Sequence, residues 1–122
     1  MTIFKDLYDL VNDASIDDLN DISPYVRDRN KDFPCVIIEV PTETWDRHSN
    51  GAYRRVYECS YRIIARSVSQ SEEIAGDVIT ALTSACDVWI ETIDREYEEG
   101  YDDDSVGLFS VIINFTYYKG VS

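Results

Sequence analysis

The sequence predicts an α+β domain, an antiparallel β-sheet with helices packed on one face, in two layers and one domain over residues 1–122. Three observations carry this. Residues 53–67, YRRVYECSYRIIARS, and 108–119, LFSVIINFTYYK, alternate apolar and polar side chains with the period of two expected of a half-buried strand. Residues 69–89 repeat Ile74, Val78, Leu82, Ala85 and Val88 or Trp89 at helical spacing. The strands at 33–40 and 53–67 follow one another as a hairpin.

Taken in order, residues 2–14 set Ile3, Phe4, Leu7, Leu10 and Val11 on one helical stripe, with Thr2 able to cap its start. Residues 15–32 are polar, with apolar points at Ile16, Leu19, Ile22 and Tyr25. They read as a short helical turn and a loop, broken at Ser23-Pro24. FPCVIIEV, 33–40, is β-branched and bounded by Pro34 and Pro41, so it reads as a strand. PTETWDRHSNGA, 41–52, is expected to be a long connecting loop reversing at Asn50-Gly51. In the strand that follows, Tyr57, Cys59, Tyr61, Ile63 and Ala65 share one face, and Arg54, Glu58, Ser60, Arg62 and Arg66 fall mostly on the other. Ser69 and Glu72 have capping-box spacing, and Glu73 adds acid at the positive helix end. Periodicity does not decide whether DVWIETI, 87–93, prolongs that helix or opens a strand. An acidic segment, 91–104, precedes the closing strand, with YEEGYDDDS, 97–105, reading as a negatively charged loop at its start, and in that strand Phe109, Val111, Ile113, Phe115 and Tyr117 share a face. No internal repeat and no interdomain linker is visible.

With 122 residues, the chain can bury roughly 65% of its unfolded surface. The 44% hydrophobic content excludes a disordered chain. Acids outnumber bases 24 to 11, a formal net charge of −13. Such a field repels DNA, RNA and anionic lipid, which excludes nucleic-acid binding through a general basic surface. Apolar runs are as short as Val36-Ile37-Ile38, so none spans a bilayer. The start, MTIFKDLYDL, lacks the features of a signal peptide. Cys35, Cys59 and Cys86 show no CxxC spacing, and the expectation is three reduced, mostly buried thiols in a cytoplasmic setting.

Glycine-rich phosphate loops and a Gly-x-Ser-x-Gly elbow are absent from the sequence. No enzyme, cofactor or metal is expected. His48, the only histidine, reads as a solvated loop residue, and Glu43, Asp46 and His48 form no positioned catalytic set. Asp102-Asp103-Asp104 do not match the alternating oxygens of a calcium loop and read as a solvated acidic turn. Arg47, Arg54, Arg55, Arg62 and Arg66 cluster between 47 and 66, and Arg54, Arg62 and Arg66 can line one strand face. That cluster is either a solvated sheet face or a positive patch for an acidic protein surface, with Trp45 and Arg47 as neighbouring interface candidates. The acidic counterpart includes Glu96, Glu98, Glu99, Asp102, Asp103 and Asp104. Complementary patches on one chain allow head-to-tail pairing, which closes into a ring when the rotation permits.

FPCVIIEV, the long strand YRRVYECSYRIIARS leading into SQSEEIAGDVITALTSA, and the closing LFSVIINFTYY make a pattern that resembles the tail terminator (tail completion) proteins of long-tailed bacteriophages. The resemblance spans about residues 33–120. It implies a virion protein, made in the host cytoplasm, that forms a ring, usually a hexamer, on the head-proximal end of the tail tube. The ring ends tube growth and meets the head–tail connector, and DNA passes through it without specific binding. It implies no catalytic residue. The alternatives are another neck component, head-closure or adaptor, and a monomeric acidic protein-binding module whose surface is 91–104.

Overall fold

The computed structural model describes residues 3–17, 19–23, 33–47, 53–85, 87–98 and 107–121. Its elements are α1 (Ile3–Asn12), β1 (Asp21–Ser23), β2 (Cys35–Arg47), β3 (Tyr53–Ala65), α2 (Val68–Thr83), β4 (Val88–Glu98) and β5 (Leu108–Val121). The strands form one five-stranded sheet in the order β1-β2-β3-β5-β4. All neighbours are antiparallel except β1, which runs parallel to β2. This is an α+β fold, and both helices cover the same side of the sheet.

Parity along the strands builds the core. Val36 and Ile38 of β2, Cys59, Tyr61 and Ile63 of β3, and Val111, Ile113 and Phe115 of β5 point to the helices. They meet Leu7 and Val11 of α1 and Ile74, Val78 and Leu82 of α2 in one cluster. The predicted shared faces of β3 and β5 are therefore the core face. The Tyr61 and Phe115 rings lie 4.9 Å apart, and the Tyr61 hydroxyl donates to the Leu7 carbonyl at 2.8 Å, tying α1 to the central strand. That bond satisfies the one polar atom of a fully buried ring.

Several expectations are corrected. The short helical turn expected within 15–32 is replaced at Asp21–Ser23 by β1, which pairs with Cys35–Ile37. Three residues are too few to show a period. Asn20 fastens the entry, its backbone N–H donating to the Pro34 carbonyl and its side-chain amide to that of Phe33. The strand expected to stop at Pro41 runs on to Arg47, so most of the expected loop is β-structure paired with β3. The ladder shifts register between Glu39 and Thr42, and such a bulge is where a residue without an N–H is tolerated. The Asn50-Gly51 reversal and the Thr2 cap lie outside the described residues. The cap of α2 is Ser67, not Ser69: its side chain accepts from the Gln70 N–H at 3.2 Å. Ser67 sits two residues past the end of β3, where the chain must turn, and has the same three-residue spacing to Gln70. Glu72 is engaged elsewhere, with Arg95.

Residues 88–93 form the start of β4, so 91–98 of the acidic segment lie in an edge strand; the expected loop, 97–105, begins inside this strand and its residues 99–105 lie outside the described residues. The bulge between Ile90 and Thr92 breaks its alternation, which is why the period was ambiguous.

Burial gives the core a pH dependence. Desolvation pushes the Cys59 thiol up to about 12 and the Tyr61 hydroxyl higher still. Both groups keep their protons in the folded chain and lose them near pH 9 to 10 once unfolded. Their stabilisation is complete below that range and drains away as pH climbs above it toward the raised folded values, at about 1.4 kcal/mol per pH unit for each group. Urea midpoints between pH 8 and 11.5 should fall steadily above pH 9. A flat profile would place both side chains in water.

Candidate functional site

The face of the sheet turned away from the helices carries the polar alternates. Glu39 of β2, Glu58, Ser60 and Arg62 of β3, Asn114 and Thr116 of β5, and Asp94 and Glu96 of β4 share it, because residues paired across strands point the same way. Arg62 is at its centre. Its Nη1 donates to Glu96 Oε2 at 3.0 Å and its Nε lies 3.5 Å from Glu39 Oε1, so one guanidinium bridges β2 and β4 across β3 and β5. The Asn114 amide donates to Asp94 at 2.8 Å and to Thr92 at 3.0 Å, and the Thr116 hydroxyl donates to Glu91 at 3.1 Å. The Ser60 hydroxyl reaches Glu39. Toward the β1 edge the same face is apolar, with Cys35 and Ile37 buried.

The electrostatic result is an acidic surface. Glu39, Glu58, Glu91, Asp94 and Glu96 share this face with Arg62, which is paired with Glu39 and Glu96, and the donors to Glu91 and Asp94 are neutral, so no cation offsets those two carboxylates through these bonds. Arg54 stands on the same face at its far end, 4.8 Å over the Tyr118 ring.

Of the arginines that could line one face of β3, Arg54 and Arg62 share it, whereas Arg66 falls past the strand end. Arg62 is held by acids of its own chain, including the acidic candidate Glu96. Arg66 lies past the end of β3, with its guanidinium 5.1 Å over the Phe33 ring. Arg55 faces the helix side, 4.4 Å over Trp45. Trp45 is 49% exposed, and its indole N–H donates to Glu43 at 3.2 Å. Hydrogen bonds from Tyr57 and then Trp45 hold the Glu43 carboxyl below its usual range. Glu43 is therefore an acceptor in a structural cluster. Arg47 and Glu98 have their backbones placed, opposite Tyr53 and Leu108. Their side chains lie outside the described residues, as do Asp46's side chain and the whole of His48, Glu99, Asp102, Asp103 and Asp104.

Glu39, Glu58, Glu91 and Asp94 were not singled out from sequence. The signal for Glu58 was present, since it shares parity with Arg62. Nothing local shows that β2 and β4 bring Glu39 and Glu96 to the same guanidinium. Among the described residues no three metal-ligating side chains converge, and no helix is long and apolar enough to cross a membrane. Cys35 and Cys59 are buried and in no disulfide among the described residues, and Cys86 lies outside them.

No family model matches the chain, and no curated protein matches it.

Proposed function

We propose that the chain is a structural virion protein of the tail-terminator kind. It is one subunit of a ring that caps the head-proximal end of a tail tube, ends polymerisation and joins the tail to the head–tail connector. The acidic, helix-free face of the sheet is the observation that supports this reading best. DNA leaving a capsid must pass the ring without being gripped, and basic walls would bind phosphate through counterion release. A face of five carboxylates whose central arginine is already committed to two of them repels the duplex. Repeated around a ring, it makes a wall past which DNA slides. The role needs no cofactor and no catalytic residue.

Native mass spectrometry and light scattering test the assembly. The purified chain should run as a discrete ring, or form one on contact with tail tube protein and stop tube growth. A monomer that neither binds nor caps a tube overturns the proposal. Loss of the gene separates terminator from other neck roles: overlong tails fit the terminator, whereas normal-length tails unable to join heads fit a head-closure or adaptor protein.

A further inference from the structure

We infer that the outer edge of β4 is a docking strip for an extended basic segment of another protein, which joins the sheet as an added strand. The inference does not require the ring reading, because it rests on the open backbone edge of β4, although Glu91, Asp94 and Glu96 also belong to the acidic face.

β4 is hydrogen-bonded to β5 on one side, and among the described residues no strand lies on its other side. Its outer N–H and C=O groups form a template for another strand. From Thr92 to Glu98 the ladder to β5 runs without a shift, so this template is regular. The opposite edge of the sheet is different. There β1 covers Cys35–Ile37, and beyond it the bulge between Glu39 and Thr42 and the proline at 41 interrupt β2. β4 contains neither lysine nor proline, and its bulge lies at its start, before Thr92.

Charge selects the occupant. The strip carries Glu91, Asp94 and Glu96, and its one base, Arg95, is drawn to the helix side by both oxygens of Glu72. Glu91 and Asp94 have neutral donors, Thr116 and Asn114. Two copies of β4 laid side by side bring like charges together, which disfavours self-pairing. A strand with Lys or Arg at alternate positions meets these carboxylates on one face while its backbone pairs with the edge. Trp89, 65% exposed at the head of β4, supplies an apolar surface beside the strip.

The test uses the full chain with Trp45→Phe, which leaves Trp89 as the sole tryptophan. The probe is a synthetic nine-residue peptide with Lys at alternate positions and Thr or Val between them. Controls are the same peptide with Glu for Lys and the Lys peptide with N-methylated backbone. The Lys peptide should shift Trp89 emission to the blue and slow amide exchange in β4 about tenfold or more. Added salt should weaken it, and Glu91→Gln with Asp94→Asn, which keeps both hydrogen-bonding partners, should reduce affinity about tenfold. Neither control should bind. The inference is overturned if protection falls outside β4, if the Glu or N-methylated peptide binds equally well, or if the chain alone dimerises with β4 already protected.

Discussion

Phe115→Ala should lower the unfolding free energy by about 4 kcal/mol, the largest single-residue loss expected in this fold. Phe115 is 2% exposed and lies in β5 between the two strands that β5 joins. Its ring meets Tyr61 at 4.9 Å. Across the ladders it faces Cys59 on one side and Ile90 on the other. Truncation removes the transfer energy of a full aromatic side chain and leaves a cavity walled by sheet on one side and helix on the other. Neither wall collapses easily, because each is fixed by its own hydrogen bonds. With a urea slope of about 2 kcal/mol per molar, the midpoint should drop by roughly 2 M with the slope unchanged. Trp89→Ala is the companion measurement. At 65% exposure this larger side chain should cost only about 0.5 kcal/mol or less. A loss below about 1 kcal/mol for Phe115→Ala would mean the ring is not packed between the layers.

Reversing Glu58, Glu91 and Asp94 to Lys together should turn a chain that ignores duplex DNA into one that binds it. All three sit on the helix-free face, and Glu91 and Asp94 have neutral partners, so the exchange strands no buried cation. Arg62 keeps its bridge to Glu39 and Glu96. The variant should retard duplex DNA in a gel at about 50 mM salt. Its affinity should fall with a log–log salt slope of about −3, near one phosphate for each new lysine. The parent should show no retardation under the same conditions. In the ring reading this variant would also assemble and yet impede ejection, which separates the charge of the wall from the integrity of the ring. Retardation by the parent, or variant binding indifferent to salt, would remove the basis for treating this face as a DNA-repelling wall.

The parts of the fold that could be read from sequence are those buried on one face only. β3 and β5 alternate because one side packs apolar groups against helices and the other carries mostly polar side chains, and α2 shows its stripe through Ile74, Val78 and Leu82 because it too is buried on one side. β4 hid because it is an edge. Its bulge at Glu91 shifts the parity, and the exposed Trp89 and Ile93 imitate a helical repeat. Pro41 hid the far half of β2, since a proline argues against a strand unless a bulge receives it. The candidate site was only half legible. Parity placed Arg54 and Arg62 together, but the partner of Arg62 lies on β4, beyond β5, and no local pattern links residue 62 to residue 96. Hence Arg62, a candidate for a subunit or partner contact, has carboxylates of its own chain on two strands as partners.

The strand order also has a consequence during synthesis. β5 lies between β3 and β4, although it follows both in the chain. Until residues 108–121 have left the ribosome, β3 has an empty flank and β4 has no neighbour at all, with α2 emerging between them and no complete surface to cover. The pairing that completes the sheet joins Ala65 to Phe109 and Tyr53 to Val121, so the turn it spans is long and the closure slow. In that interval the nascent chain carries an open flank on β3 and an unpaired β4, and the carboxylates of β4 set like charge against like on any neighbouring copy.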